Sequence, residues 1–328
     1  MKSRRGACRV ALLASCLAWG ALSVALRGAE PRLEYLQRLD VPVATDALLS
    51  SDCVTADRVA DEVFVCDSRR DRIVIFDSRG LYLDQLKGGD TFSSPRDLAV
   101  DPQGRLVVLA NHDRRPAVVN LDFDGLYMGE VVLKGVPSGL APPYFTSLAI
   151  SPSGDRLYLI DSANLRLWIT DRKGSVLGSV DLAPVAKSVK ERHETVVGRV
   201  DVYGNRVLVA MSSVGEVWLF DLDGKRLGWV GKKGTNGCRL AFPVAAALDD
   251  QGTVTILDQQ RMIVQRRTMS GNRCLSEYLG IGLVPGLLYF PQDMALDAVG
   301  RLYVTQGFQG RAQVYGGLPP SLGVKVKP

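Results

Sequence analysis

Residues 61–86 read DEVFVCDSRRDRIVIFDSRGLYLDQL. Three short runs rich in β-branched and aromatic residues, Glu62–Cys66, Arg72–Phe76 and Leu81–Leu86, are separated by polar turns. Runs of this length and composition predict antiparallel strands joined by tight connections. The middle run is apolar on both sides, with Ile73 and Ile75 on one face and Val74 and Phe76 on the other. A strand sheathed on both faces cannot belong to a lone meander. It requires one sheet packed above it and another below.

The unit recurs. The turn FDSRG ending at Gly80 returns as LDFDG at Gly125, TDRKG at Gly174, FDLDG at Gly224, TMSG at Gly271 and, worn down, VYGG at Gly316, with spacings of 45, 49, 50, 47 and 45 residues. A second series runs in step: AVDPQG to Gly104, AISPSG to Gly154, DVYG to Gly204, ALDDQG to Gly252 and ALDAVG to Gly300. Two glycine series sharing one period mark a propeller or solenoid. The expected architecture is all-β: a six-bladed β-propeller of four-stranded antiparallel blades.

Hydrophobic-Ala-hydrophobic-Asp, two residues, Gly, a strand, Asp, an Arg a few residues on, then Phe-Asp, two residues and Gly: this order resembles the NHL repeat of six-bladed β-propellers. Asp67 to Arg72 and Asp161 to Arg166 carry the polar spacing, and Gln306 to Arg311 carries it in weakened form. The resemblance spans about Ala44 to Gly317. It implies a fold rather than a function, because such propellers serve as enzymes, RNA binders and docking scaffolds alike.

The N-terminus has a basic segment (Lys2, Arg4, Arg5, Arg9) followed by an apolar run of 17 residues, Val10 to Leu26. This is the form of a secretory signal, with Ser23-Val24-Ala25 as the cleavage sequence. The expected organisation is therefore a signal peptide at 1–25, a propeller at 26–318 and a flexible tail at 319–328. The destination is the periplasm or the medium, with no membrane span after processing. An uncleaved N-terminal membrane anchor is the alternative, since 17 apolar residues reach the lower edge of a span. Leu13-Ala14-Ser15-Cys16 matches a lipoprotein box, but apolar sequence continues past the cysteine. The formal charge of +5 falls to +1 once the four basic leader residues are removed. A near-neutral mature chain has no general drive toward nucleic acid.

Arg32–Leu39 (RLEYLQRL) is strand-like and stands ahead of the first full unit, while the last unit lacks an outer strand. The N-terminal strand is expected to complete the last blade and close the ring. Insertions at Asn111–Arg115, Val136–Tyr144 and Leu182–Thr195 place individuality on turns and crossings, where binding usually resides.

Four cysteines remain in the mature chain. Cys53 and Cys66 lie on the first two strands of one sheet at equal distance from the turn near Val59, so a Cys53–Cys66 disulfide is expected. Pairing of Cys238 with Cys274 stays open. The two histidines, His112 and His193, sit in insertions without a second histidine at ligand spacing. The resemblance extends to propellers that cleave peptidyl-hydroxyglycine with several zinc-bound histidines, and two distant histidines do not reproduce that set.

Counting back seven from each turn glycine gives Asp97, Ser147, Val197, Ala245 and Asp293 at the mouth of the axial channel, with Asp52 as the equivalent in the first unit. Asp52, Asp97 and Asp293 would then cluster as a metal site of the kind that suits Ca²⁺. Two residues along, Ala99, Ala149, Ala247 and Ala295 form a small-residue series that Arg199 interrupts. Arg199 is expected to pair with a channel carboxylate or a bound anion, so the candidate ligand-binding set is Asp52, Asp97, Arg199 and Asp293. Basic residues at Lys225, Arg226, Lys232, Lys233 and Arg239, and again at Arg261, Arg266, Arg267 and Arg273, read as a charged rim. Trp218 and Trp229 stand near them. No reaction is identified. The functional expectation is a monomeric, non-catalytic binding or scaffold module for a protein or glycan partner in the cell envelope or outside the cell. The alternative is a calcium-dependent hydrolase or lactonase-like enzyme using the acidic rim.

Overall fold

A computed structural model describes residues 32–183 and 194–319. The expected leader and nearly all of the expected tail lie outside the described residues. Strand β1 (Glu34–Arg38) is followed by β2 (Ser51–Asp57), β3 (Glu62–Asp67), β4 (Arg72–Asp77) and β5 (Tyr82–Lys87), and these last four make blade I. Blade II is β6 (Ser93–Val100), β7 (Leu106–His112), β8 (Arg115–Leu121) and β9 (Tyr127–Glu130). Blade III is β10 (Phe145–Ile150), β11 (Arg156–Asp161), β12 (Arg166–Asp171) and β13 (Val176–Asp181). Blade IV is β14 (Val200–Tyr203), β15 (Arg206–Met211), β16 (Glu216–Phe220) and β17 (Arg226–Val230). Blade V is β18 (Pro243–Leu248), β19 (Thr253–Asp258), β20 (Ile263–Thr268) and β21 (Cys274–Tyr278). Blade VI comprises β22 (Pro291–Leu296), β23 (Leu302–Gln306) and β24 (Arg311–Gly316), with β1 as its outermost strand.

Both glycine series are turn chemistry. In three of the turns after the inner strands, the aspartate ahead of the glycine accepts two main-chain N–H bonds. Asp101 takes those of Gln103 and Arg105, Asp249 those of Gln251 and Thr253, and Asp297 those of Val299 and Arg301, all at 2.8–2.9 Å. Gly104 then turns the chain at φ 77°, a conformation that a side chain rarely tolerates. Asp122, Asp171 and Asp221 do the same between the third and fourth strands. The Asp-x-x-Gly part of the repeat is thus employed in building corners.

Among the described residues, the buried apolar side chains form six layers, each lying between two neighbouring blades. Cys53, Phe64 and Ile73 of blade I meet Leu98, Val108 and Val119 of blade II, for example, and Tyr158 and Ile160 of blade III meet Val207 and Trp218 of blade IV. Polar ties reinforce the layers. Tyr303 donates to the Ser78 carbonyl of blade I at 2.8 Å, and Tyr158 to the Leu222 carbonyl of blade IV at 3.0 Å.

The ring closes as expected. Strand β1 pairs antiparallel with β24, Glu34 opposite Gly316 and Arg38 opposite Gln313, and Leu39 N donates to Ala312 O at 2.8 Å. Leu39, 1% exposed, is buried with Phe76 of blade I and Val314 of blade VI. Gln37 donates to the Arg79 carbonyl of blade I. Cys53 and Cys66 are direct cross-strand partners joined by a disulfide, Cα–Cα 5.1 Å. Cys238 and Cys274 are also joined, which ties the crossing ahead of blade V to β21. Among the described residues no helix is long and apolar enough to cross a membrane.

Leu39→Ala is expected to destabilise the fold by about 2–4 kcal/mol, the usual cost of emptying a buried leucine site, read as a lowered urea midpoint. Excision of residues 32–39 should cost far more and expose the edge of β24, giving soluble aggregates by light scattering. A variant without these residues that melts like the intact protein would contradict closure by β1.

Candidate functional site

The inner strands β2, β6, β10, β14, β18 and β22 surround the axis, and register fixes which residues are equivalent. Asp97 pairs with Leu109, Ser147 with Ile160, Ala245 with Leu257, Asp293 with Thr305 and Cys53 with Cys66. In blade IV, Ala210 N donates to Arg199 O at 3.0 Å, so Arg199 holds this position. The count from Gly204 that singled out Val197 misses by two, because blade IV turns through a two-residue hairpin at Gly204–Asn205. Asp52 is likewise one residue off: it lies on a β-bulge between Ser51 and Cys53, and Cys53 takes its place in the ring.

The ring position binds blade to blade. Asp97 Oδ2 accepts Leu148 N at 2.8 Å, Ser147 Oγ accepts Val200 N at 3.1 Å and Asp293 Oδ2 accepts Val54 N at 3.0 Å. Arg199 N donates to Val244 O at 2.7 Å, and its side chain crosses the axis. Its Nη1 is 2.8 Å from Asp97 Oδ1 of blade II and 3.0 Å from Arg96 O, and its Nε is 3.8 Å from Asp293 Oδ2 of blade VI. Nη2 donates to Asp52 O of blade I. One guanidinium thus touches three blades other than its own, and the expected pairing with channel carboxylates is present.

The electrostatics follow from having one cation among two nearby acids. Burial pulls the Arg199 pKa down, but Asp293 and Asp97 outweigh it and hold the guanidinium charged, above its ordinary range. Asp97 has the short ion pair. Burial chiefly, helped by the Asp97 charge, pushes Asp293 up to about 7 against the pull of Arg199. Among the described residues, no group of three His, Cys, Asp or Glu side chains is placed to hold a metal ion.

Behind this plug the channel widens into a cavity of about 310 Å³ that reaches the turns following the inner strands. Ala99, Ala149, Ala247 and Ala295 line it, as expected. The blade IV equivalent, two residues beyond Arg199, is Asp201, a wall carboxylate that the sequence reading passed over. Burial raises its pKa above the ordinary aspartate value, and Arg58 opposes the shift. Arg58 of blade I spans the far end of the cavity: Nε donates to Leu296 O at 3.0 Å and the guanidinium lies 4.2 Å from the Tyr203 ring centroid.

The opposite face, where the inner strands begin, has a different character. Three residues ahead of the ring position stand Tyr144, Val196, Phe242 and Phe290 on four consecutive blades, III to VI, whereas blades I and II have Ser50 and Ser94. Tyr144 is 43%, Val196 44% and Phe290 49% exposed, and Phe308 beside Tyr289 is 50% exposed. These residues are held firmly. On blades III, V and VI the carboxylate or amide ending the second strand latches the crossing: Asp161 accepts Tyr144 N at 3.0 Å, Asp258 accepts Phe242 N at 3.1 Å and Gln306 accepts Tyr289 N at 2.6 Å. On blade IV Ser213 Oγ accepts Val196 N at 3.0 Å. Arg96 also donates to the Tyr144 hydroxyl at 2.8 Å.

Other sequence candidates separate from these sites. His112 bonds to Thr91 O at 2.6 Å and stacks on Tyr127, which accounts for it structurally; His193 lies outside the described residues. The second basic group is not a charged rim, because Arg266 and Arg267 are 2% and 5% exposed on β20. Arg266 pairs with Asp249, and Arg267 bonds Asn272, Cys238 O and Gln265. Trp218 is buried, with Arg226 3.8 Å from its ring centroid, so only Trp229 of the two is exposed.

No family model matches the chain, and no curated protein matches it. Among solved structures, it is similar to a structural genomics protein of unknown function from Bacteroides thetaiotaomicron, with TM-score 0.62 and 14% sequence identity over 88% of this chain and 76% of that one. A likeness at this identity establishes the fold alone.

Arg199→Met leaves Asp97 and Asp293 buried without their cation and is expected to cost about 3–5 kcal/mol at neutral pH, and less in acid, where Asp293 carries its proton. Asp293 retains its proton from its unfolded value near 3.8 up to about 7 only when folded, so its contribution to stability is greatest in acid and is lost as pH rises through that window. In urea unfolding from pH 4 to 8, the stability of the wild type relative to Asp293→Asn should fall by roughly 2–4 kcal/mol and level off above neutrality. Parallel curves would refute this assignment.

Proposed function

We propose that the chain is an exported, NHL-type propeller that acts as a non-catalytic binding module, presenting the face on which its inner strands begin to a protein partner. The observation that carries this reading is the apolar crescent of Tyr144, Val196, Phe242 and Phe290, continued by Phe308. Apolar side chains stand at one structural position on four adjacent blades, with Tyr144, Val196 and Phe290 exposed and Phe242 half-buried, and exposed apolar patches of this kind mark interaction sites. Because Asp161, Asp258 and Gln306 fix the crossings from behind, little ordering entropy remains to be lost on binding. The two disulfides accord with an oxidising compartment outside the cytoplasm.

Calcium-dependent hydrolysis has weaker support. The oxygens of Asp97 and Asp293 already receive Leu98 N, Leu148 N, Val54 N and Met294 N besides Arg199. A cation would have to displace these bonds.

The test compares residues 26–328 with a Tyr144→Ser, Phe290→Ser, Phe308→Ser variant, each immobilised and challenged with envelope extract. A protein retained by the wild type and reduced at least tenfold on the variant, whose melting temperature stays within a few degrees, is the expected result. Equal retention on both would dismiss the crescent. Calorimetric titration with CaCl₂ addresses the alternative: one tightly bound ion, lost in Asp97→Asn, would establish it in place of the binding module.

A further inference from the structure

The axial cavity holds two opposite charges that do not neutralise each other. Asp201 stands where four other blades have alanine, and it has no ion-pair partner among the described residues. Arg58 is held by Leu296 O and by the Tyr203 ring, and its Nη1 is buried without a hydrogen-bond partner. Tyr203 is two residues from Asp201 on the same strand, so Arg58 comes within electrostatic reach of the carboxylate yet forms no ion pair with it. At the other end of the cavity Arg199 is already engaged by Asp97 and Asp293. The remaining wall is largely alanine, valine and leucine, and its two other carboxylates are engaged at the turns, Asp57 by Val59 N and Ala60 N and Asp101 by Gln103 N, Arg105 and Arg172.

Both side chains are half-buried, and leaving a partly desolvated carboxylate and guanidinium unpaired in one cavity carries a cost. The two could be neutralised together by one molecule that brings the complementary charges at matching separation. The volume of about 310 Å³ sits at the lower end of ligand sites, the size of an amino acid or a monosaccharide. We infer that the axial cavity binds a small amphoteric molecule, its protonated amine on Asp201 and its carboxylate or phosphate on Arg58. A simple cation would leave Arg58 unpaired, and a simple anion would meet the Asp201 charge.

The experiment uses the mature chain, residues 26–328, and the series of ω-amino acids from glycine to 6-aminohexanoate as rulers of charge separation. Butylamine and butanoate serve as single-charge controls. Calorimetric titration should show one length bound best, at least tenfold tighter than either control. Asp201→Ala installs the residue found on four other blades, so it should fold and melt no lower than the wild type while binding the best probe at least tenfold more weakly. Arg58→Met should weaken the same probe by a similar factor and leave butylamine unaffected. The proposal is overturned if no member of the series binds, if butylamine binds as tightly as the best amino acid, or if Asp201→Ala binds undiminished.

Discussion

The constraint on which the rest of this structure depends is that no blade can cover its own apolar surfaces. Blade I has Val63, Val65, Val74 and Phe76 on one face and Phe64, Cys66 and Ile73 on the other, and both sets are buried. Each blade must therefore be flanked on both sides, and a finite row of such blades is satisfied only when it meets itself. Pairing of β1 with β24 is the outcome of that requirement. It seats Leu39 in the layer between the last blade and the first. Polar chemistry at the axis then fixes what hydrophobic packing leaves loose. Apolar layers slide at little cost, but an aspartate or serine that must find one particular amide on the next blade does not.

Arg199 acts on this frame from the inside. Its guanidinium shares contacts with blades I, II and VI, so the four participating blades are cross-braced through the centre as well as around the rim. The same group blocks one end of the channel, and the cavity behind it is consequently reached from the other face. The two faces thereby acquire separate characters. One presents apolar rings on latched crossings, while the other leads to a small chamber carrying Asp201 and Arg58. The two functional readings concern opposite ends of one axis and need no residue in common.

The fold was largely legible in the sequence because its determinants are local. Asp-x-x-Gly corners require a carboxylate to accept amides and a glycine to take positive φ, and both recur at fixed spacing. The Cys53–Cys66 pair was legible for the same reason, since two residues equidistant from a hairpin turn face each other. What escaped depends on register between distant segments. Val197 was placed at the ring by counting from a glycine and Asp52 as its equivalent in a unit whose corresponding turn has no glycine, yet the first misses because of a shortened hairpin and the second lies on the bulge just ahead of Cys53. Asp201 seemed an ordinary turn residue until its strand was aligned with those carrying alanine. The apolar crescent was hidden because crossings of unequal length lead to it. The buried arginines of β20 passed for surface charge because nothing local announces that Asp249 stands ready to receive Arg266 and the Cys238 carbonyl to receive Arg267.

The shortened hairpin of blade IV has a wider consequence. Removing two residues from a corner advances the preceding strand by one full side-chain alternation, so inward positions stay inward while their identities change. In blade IV this register sets Arg199 at the plug and Asp201 in the cavity wall. Rings of repeated sheets can in this way alter the charge of their central bore through indels alone, a route to new specificity that comparison of aligned residues would overlook.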